Sequence, residues 1–362
     1  MFTKIVNPKI KLKNLKILDL STVLAGPSVA TFFAELGSQV IKIEHPNRPD
    51  VTRNWKLPSE NKNSTVSAYF SSINFNKKFV KLNLSKPEDY QNFIELIKDA
   101  DILISNFKKG DDIKLNIEDN TLRQINPDLI IGKISGYGSD SDRVAYDLIL
   151  QAETGFMSIN GTPESGPVKM PVALIDVLAA HNLKEGLLLA LLEKQKTGLG
   201  KTVEVSLYDA AISSLVNQAS NYLMSNYVPQ RIGSLHPNIA PYGEIFTTID
   251  NKQVTFAIGS EEHFEKLCNF LELTHLIVNP KFESNQNRVL NREELFLILN
   301  ERISKMKSKS IFEAMNSACV PCGIIKSLNE VFENPSAKKL IREEMIDNQN
   351  TKRITSIAFK WK

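Results

Sequence analysis

The sequence predicts an α/β fold whose mostly parallel sheet is covered by helices on both faces. Two observations lead to this class. Short apolar, strand-like runs alternate with helical stretches from residue 15 to residue 134, as in successive βαβ units. The length of 362 residues exceeds that of a usual single core, so we also expect a second, smaller α/β domain.

The first βαβ unit lies near the N-terminus. Leu15–Leu20 has the pattern of a strand and Val23–Pro27 that of a loop. A helix is expected at Ser28–Leu36, ended by Gly37, and a second strand at Val40–Glu44. In such sheets ligands bind beyond the carboxyl ends of the strands, so the first βα loop is the first candidate binding element.

A second round of the same pattern follows. We expect strands at Phe79–Leu84, Asp101–Ile104 and Leu129–Ile134. A capping box formed by Ser85 and Glu88 predicts the start of the helix between the first two of these strands. The repeated alternation supports a parallel sheet.

The first βα loop does not carry a nucleotide-binding fingerprint. Its one glycine is Gly26, followed by Pro27, whereas a dinucleotide fold uses three glycines at fixed spacing. The sequence also lacks a glycine-rich loop that ends in Lys-Ser or Lys-Thr. These patterns disfavour NAD, flavin and ATP as ligands.

The second half of the chain begins with a further strand at Thr202–Ser206 and a helix at Tyr208–Leu223. A turn-rich connector, Pro229–Pro241, then breaks the pattern. Beyond it we expect strands at Gly243–Thr248 and Gln253–Ile258 and helices at Glu262–Leu271 and Arg292–Ile303. The connector therefore marks the start of the smaller domain.

Composition excludes several classes of function. Lys plus Arg number 44 and Asp plus Glu 41, and the net charge of +3 gives no field for nucleic acid or an anionic membrane. The longest apolar run, Gly186–Leu192, is too short to span a bilayer. We expect a soluble, cytoplasmic protein. Its three cysteines, Cys268, Cys319 and Cys322, are expected to be reduced and structural.

Asp176 is the candidate catalytic residue. It ends the loop-like segment Met170–Asp176 and precedes the apolar helical run Leu183–Leu192. The first turn of a helix offers unpaired N–H groups and a partial positive charge, which can keep a poorly hydrated carboxylate ionised. Such a carboxylate can act as a nucleophile. The alternative is an N-capping aspartate that only satisfies those N–H groups.

The chain resembles the family III CoA-transferases, which include formyl-CoA and carnitine CoA-transferases and, as a divergent branch, α-methylacyl-CoA racemase. The resemblance extends from Leu15 to Arg342. Its most specific segments are Leu18–Pro27, Leu36–Glu44, Asp101–Phe107, Asp147–Gly155, Lys194–Gly200, His236–Tyr242 and Val320–Gly323. Asp176 falls at the position of the family's catalytic aspartate, which favours the nucleophile over the helix cap.

This resemblance implies an enzyme that moves CoA from an acyl-CoA donor to a small free carboxylic acid. Asp176 would form an aspartyl anhydride and then an aspartyl-CoA thioester, without metal, NAD or ATP. The resemblance further implies a Rossmann-like large domain and a homodimer of two interlocked, ring-like chains. We expect a large CoA-binding domain at residues 1–224, a small domain at 225–330 and a C-terminal segment, 331–362, that returns to the large domain.

The family's CoA-binding positions can be carried over one by one. They fall on Val23, Leu24, Ala25, His45, Lys77, Asn106 and Phe107. Because the nucleotide end of CoA is anionic, we expect a charge-assisted contact from Lys77 or Lys78 and a further one from Lys108 or Lys109. His45 occupies the place of an arginine in the formyl-CoA branch, and it is a weaker partner for an anion.

Two departures from the family bear on alternative functions. The racemase branch needs a proton-accepting histidine where this chain has Tyr146, and a phenol with a pKa near ~10 is a poor base at neutral pH. Glu262 lies near the racemase's acidic residue, so racemase activity is one alternative. A non-catalytic CoA-binding subunit that works with an unlike chain is another.

Ala257–Glu262 replaces the glycine-rich loop of formyl-CoA transferase, so oxalate is not the expected acceptor. His236 is interpreted as a structural residue in preference to a catalytic one.

Overall fold

We describe residues 12–360 of a computed structural model of the protein. Six strands in this part of the chain form one parallel sheet. They are β1 Lys16–Asp19, β2 Gln39–Glu44, β3 Lys77–Lys81, β4 Ile102–Ser105, β5 Ile130–Ser135 and β6 Thr202–Ser206. Their order is β3-β2-β1-β4-β5-β6, which confirms the predicted α/β class with a parallel sheet.

Helices lie between and after these strands in the chain. They are α1 Ala25–Glu35, α2 Ala68–Ser72, α3 Pro87–Lys98, α4 Asp111–Lys114, α5 Asp119–Ile125, α6 Asp147–Glu153, α7 Phe156–Ile159, α8 Leu174–Thr197, α9 Leu207–Ser213 and α10 Val216–Ser225. No helix within residues 12–360 combines the length and apolar character that crossing a bilayer requires.

The sheet has a hydrophobic core on each face because alternate strand residues point to opposite sides. Ile17, Ile102 and Ile130 pack with α1 and α8 in one core. Their neighbours in sequence, such as Leu18 and Leu103, pack with α3 and α5 in the other. The alternation explains why every central strand is apolar at nearly all positions.

The sheet reverses its winding direction between β1 and β4. Ile17 of β1 is paired with Val40 of β2 on one side and with Ile102 of β4 on the other. The connection after β1 leads towards β2, whereas the connection after β4 leads towards β5. In open α/β sheets a ligand crevice forms at this point, outside the carboxyl ends of the strands.

The chain divides into two compact units. One contains the parallel sheet, the described part of the C-terminus and its antiparallel hairpin of β10 Ile341–Ile346 and β11 Gln349–Ile354. The other is built from residues 157–168 and 228–338. Its elements are β7 Tyr242–Thr247, β8 Gln253–Ala257, β9 Cys322–Ile324, α11 Glu261–Phe270, α12 Asn285–Leu290, α13 Arg292–Ile303, α14 Ser308–Ser317, α15 Leu328–Glu333 and α16 Pro335–Lys338. The three-part domain assignment stays a prediction.

Two helix starts differ from the expectations. Helix α1 begins at Ala25, so the predicted loop Val23–Pro27 is wrong beyond Leu24. Pro27 is tolerated in the first turn because its missing N–H would have no partner within the helix there. Helix α3 has Lys86 at its N-cap and Pro87 as its first residue. The capping box of Ser85 and Glu88 is therefore wrong, since the rigid ring of Pro87 sets the helix start.

The helix expected at Tyr208–Leu223 is also wrong as a single element. The chain forms α9 and α10 in its place, separated at Ser214 and Leu215. Val216, the first residue of α10, has a φ of 44°, which interrupts a continuous helix.

Candidate active site

A cleft of about 320 Å³ lies at the carboxyl ends of β1, β4 and β5. Its walls come from the loops after these three strands and from the first turn of α8. Among the lining residues are Thr22, Val23, Leu24 and Ala25 after β1, Asn106 and Phe107 after β4, Gly136 and Gly138 after β5, and Asp176 of α8. Six of the eight site residues expected from the sequence therefore line one cleft.

Asp176 is the third residue of α8 and is buried, with 8% of its surface exposed. Burial raises the pKa of its carboxyl group to about 7, and the nearby carboxylate of Asp147 adds to the rise. Removing a charged group from water disfavours its ionised form, and a second negative charge does the same. Asp176 is thus a carboxyl group that is poised to change its charge near neutral pH.

The N-terminus of α8 does not stabilise Asp176 as expected. The N-cap residue is Ala173, which makes no side-chain capping bond, so Asp176 is not the helix cap. The N–H of Ile175 donates to Asp147 Oδ1 at 2.8 Å, and Gln151 donates to Asp147 Oδ2 at 2.6 Å. Because Asp147 takes the amide at this helix end, the expectation that the helix keeps Asp176 ionised is wrong.

The loop after β1 is connected to the loop after β4 across the crevice. The N–H of Thr22 donates to Asn106 Oδ1 at 3.0 Å, and Asn106 Nδ2 donates to the carbonyl of Thr22 at 2.9 Å. A side chain at Gly26 would place its Cβ 2.3 Å from the Cβ of Ser21, so only glycine allows the loop to pack on the start of α1. These contacts fix the two sides of the cleft relative to each other.

The start of α1 offers donors to this cleft. Leu24 is the N-cap and makes no side-chain capping bond, and Ala25, the first helical residue, lines the cleft. First-turn amides of a helix have no partner within the helix and attract anions. This end of α1 can therefore bind a phosphate group or stabilise an oxyanion.

Lys77 and His45 are not among the residues that line the cleft. The Lys77 ammonium group is buried and donates to Asp19 Oδ2 at 2.8 Å, to Asn74 Oδ1 and to the carbonyl groups of Pro27 and Ile73. Burial outweighs the attraction of Asp19 and lowers the pKa of Lys77 to about 8. A contact between this ammonium group and a ligand phosphate would require those bonds to break.

Lys108 and Lys109 lie at the cleft, whereas His45 does not. His45 Nδ1 accepts the N–H groups of Asn47 and Arg48, which gives the ring a structural partner. Lys108 and Lys109 are exposed and line the cleft. These two lysines are thus placed to neutralise an anionic ligand.

Sequence analysis missed one neighbour of the catalytic candidate. Burial raises the pKa of Tyr69 to about 12, and the charges of Asp176 and Asp147 contribute to the rise. Its ring packs edge-on against Trp55, with 5.1 Å between the centroids. Tyr69 lies in α2, far from Asp176 in sequence, and no local pattern could have indicated it.

The remaining candidates differ in their positions. Tyr146 lines the cleft and is 51% exposed at the cap of α6. Glu262 is exposed at the start of α11, where it pairs with Lys266 at 2.6 Å. The Nδ1 atom of His236 accepts the N–H of Asn238 at 3.1 Å. Within the described residues, no group of three or more His, Cys, Asp or Glu side chains has the arrangement of a metal site.

The chain is similar to known proteins in both sequence and structure. The sequence profile of CoA-transferase family III matches residues 12–362. The chain is 32% identical over 342 residues to a succinate–glutarate CoA-transferase of Agrobacterium fabrum, which covers 93% of this chain and 85% of that protein. It is 33% identical to a succinyl-CoA:glutarate CoA-transferase of Homo sapiens, over 90% of this chain and 73% of that one.

A solved structure is similar over nearly the whole chain. The crystal structure of a CAIB/BAIF family protein from Brucella suis has a TM-score of 0.81 and 32% sequence identity, with coverage of 96% of this chain and 92% of that chain. The chain therefore belongs to CoA-transferase family III, which confirms the resemblance recognised from its motifs. The family and the names of these relatives also support the expected transferase activity.

The raised pKa of Asp176 predicts a pH-dependent effect on stability. Between about pH 4 and pH 7 the unfolded carboxyl group is ionised while the folded one keeps its proton, so this group makes the protein less stable as pH rises. Asp176→Asn removes this ionisable group. The free energy of unfolding, measured with urea at pH 4 and pH 8, should increase for the variant relative to the wild type by up to roughly 4 kcal/mol at the higher pH. Asp99→Asn, at an exposed carboxylate, is the control, and an equal difference at both pH values for Asp176→Asn would contradict the assignment.

Proposed function

We propose that this chain transfers CoA from an acyl-CoA to a free carboxylic acid, with Asp176 as the covalent nucleophile. The observation that carries the proposal is the buried Asp176 carboxyl group in a cleft that also contains Val23, Leu24, Asn106 and Phe107. Family membership supplies the type of reaction, and the cleft supplies a place for both reacting groups.

The proposed reaction exchanges acyl and CoA groups in four steps. The Asp176 carboxylate attacks the thioester carbonyl of the donor, the C–S bond breaks, and an aspartyl anhydride and CoA thiolate result. The thiolate attacks the aspartyl carbonyl, which releases the donor acid and leaves an aspartyl-CoA thioester. The acceptor carboxylate attacks this thioester and expels the thiolate again. The thiolate then attacks the acyl carbonyl, which releases the new acyl-CoA and the free aspartate.

The environment of Asp176 favours the first step. A carboxylate that is costly to ionise is more basic and less hydrated than an exposed one, and both properties raise its nucleophilicity. Acylation makes the group neutral, so it removes the repulsion between Asp176 and Asp147. Part of the electrostatic cost of the buried charge is released when the covalent bond forms. The amides at the start of α1 are the proposed stabilisers of the oxyanions.

We propose that the ligand's acyl-pantetheine part lies along Val23, Leu24 and Ala25 and its nucleotide part near Phe107. Lys108 and Lys109, which are exposed at the cleft, are the proposed partners of the phosphate groups. His45 and Lys77 remain predicted CoA-binding positions from the resemblance. For Lys77, its bound ammonium group argues against a direct ion pair with the ligand.

We further propose dicarboxylic acids as the class of acceptor. The relatives' names include succinate, glutarate and mesaconate, which each carry two carboxylates. Arg143 lines the cleft, where its guanidinium group lies 3.9 Å from the Tyr137 ring and 2.7 Å from Glu153. A guanidinium group held in this way is a suitable partner for the second carboxylate of an acceptor.

Covalent trapping tests the role of Asp176. Incubation with an acyl-CoA followed by hydroxylamine or borohydride should modify the tryptic peptide Met170–Lys184, in which Asp176 is the one carboxylate side chain. Asp176→Asn should lose the label and lower transfer by at least about 10⁴-fold, as removal of a nucleophile does. Asp99→Asn should retain both. A label on another peptide, or transfer by the Asn variant at the wild-type rate, would refute the mechanism.

A panel of acceptors tests the substrate class. Succinate and glutarate should be used at least about tenfold more efficiently than butyrate and pentanoate, because the monoacids lose one charge-assisted hydrogen bond. The measurement is kcat/KM for each acid with one common acyl-CoA, and oxalate is included as the acid that the sequence disfavours. Equal efficiency for diacids and monoacids of the same length would rule out the proposed class.

We also propose a homodimer, on the basis of an apolar surface in the sheet-containing unit. Helix α10 has no buried residue. Its apolar side chains Val216, Leu223 and Met224 are 70, 76 and 87% exposed. A group of large apolar side chains in water indicates a contact surface for another chain. The interlocked arrangement remains an expectation from the resemblance.

Replacement of both Leu223 and Met224 by Glu should therefore shift the mass of the purified protein in light scattering from a dimer towards a monomer. The matched control is Leu290→Glu, at an apolar side chain that is 81% exposed on α12. A monomeric wild type, or a dimer that is unaffected by the charged pair, would contradict this proposal.

A further inference from the structure

The loop that forms one wall of the cleft has a strained backbone. Val23 adopts a φ of 72°, in the left-handed region that a β-branched residue rarely occupies. Such a conformation is costly and persists only where surrounding contacts hold it. The neighbouring Leu24 and Ala25 also line the cleft, so the conformation of Val23 sets the direction in which this wall runs.

Asp50 supplies a contact that holds Val23. Its carboxylate accepts the N–H of Val23 at 3.3 Å to Oδ2 and 3.4 Å to Oδ1. Asp50 is 1% exposed, and the same carboxylate accepts the N–H and the hydroxyl group of Thr52. It also lies 3.3 Å from the ammonium group of Lys42, whose side chain is fully buried. A charged acceptor with this many partners is fixed in place.

Asp50 belongs to a buried cluster of four charges, which we define as Asp19, Lys42, Asp50 and Lys77. All four side chains are fully buried, and the two positive charges balance the two negative ones. The Lys42 ammonium group donates to the carbonyl of Ser21 at 2.6 Å, and Asp19 Oδ1 accepts the N–H of Ser21 at 3.0 Å.

The cluster also binds the first turn of α1, through the bond from Lys77 to the carbonyl of Pro27 at 2.9 Å. It therefore contacts the loop at its start and at its strained residue, and it contacts the helical turn that follows the loop. No residue of the cluster is among those that line the cleft.

We propose that Asp50 is a positioning residue for acyl-CoA: it holds the N–H of Val23, and through Val23 it fixes the wall of the cleft on which CoA binds. Asp50 does not touch the ligand. The inference rests on the proposed function, because it assigns the loop to CoA.

The strain at Val23 gives this role a signature that a merely structural residue lacks. If Asp50 acts by holding a costly conformation, then removing the cost should make Asp50 less necessary. Glycine adopts φ values near 70° about as readily as negative ones. Val23→Gly should therefore restore much of what a change at Asp50 removes, and the two substitutions should be strongly non-additive.

The experiment is a double-mutant cycle with Asp50→Asn, Val23→Gly and the combined variant. The readouts are the Kd of free CoA by calorimetry, and the KM and kcat for one acyl-CoA. Asp50→Asn should raise Kd and KM by about tenfold or more, a loss typical of one hydrogen bond to a charged group, with kcat changed by less than about threefold. The combined variant should recover at least half of the loss on a logarithmic scale.

A matched control separates positioning from stability. Glu35 is another buried carboxylate of the same unit, and it pairs with buried Arg353 at the opposite end of α1. Glu35→Gln should lower the unfolding temperature as Asp50→Asn does but leave the Kd for CoA unchanged. If Asp50→Asn does not fold, the double substitution Asp50→Ala and Lys42→Met takes the place of that variant in the cycle, because it removes both partners of the ion pair.

The outcomes distinguish this inference from the proposed function. An unchanged Kd in folded Asp50→Asn, or additive effects of the two substitutions, would overturn the inference even where the Asp176 peptide is labelled. If the Asp176 peptide is not labelled but Val23→Gly still restores CoA binding in Asp50→Asn, the covalent mechanism alone would be overturned.

Discussion

The cost of removing carboxylates from water is the constraint on which the carboxyl edge of this sheet depends. Two buried aspartates, Asp19 and Asp50, lie beside the ammonium groups of Lys42 and Lys77. For Asp19, burial opposes ionisation, but the two lysines outweigh it and the pKa is lowered. Asp176 is also buried, and the nearby charge of Asp147 is another carboxylate. Its pKa is therefore raised. Compensated carboxylates hold the loops, and the uncompensated one is the proposed nucleophile.

This division explains how rigidity and reactivity coexist within one edge. Pairing makes the cluster of four charges hard to disturb, because removal of one partner leaves a buried charge without compensation. Arg53 extends the same principle outward. It binds Glu44 at 2.7 Å and Asp347, in the turn between β10 and β11, at 2.9 Å. The C-terminal hairpin is thus attached to the ionic groups behind the first loop, although it contributes no lining residue to the cleft.

The elements with strong periodicity were predictable, whereas some of their ends were not. Helix α13 lies at Arg292–Ile303, as the amphipathic pattern predicted, and β6 lies at Thr202–Ser206. The capping box at Ser85 failed because a rigid Pro87 competed for the same helix start. Local pattern identifies an element when burial and propensity agree, whereas its boundary depends on a few bonds of comparable strength.

The sequence by itself determined the alternation of strands and helices, the family and the position of Asp176, because these follow from local periodicity and from ordered motifs. Tertiary structure alone decided the charge environment of these residues. Lys77 looks like an exposed phosphate ligand in sequence, yet it is buried against Asp19, which lies 58 positions away. Asp176 looks like a residue stabilised by its own helix, but Asp147 occupies that helix end. Electrostatic energies depend on distance and burial in space, and a linear pattern specifies neither for residues far apart in the chain.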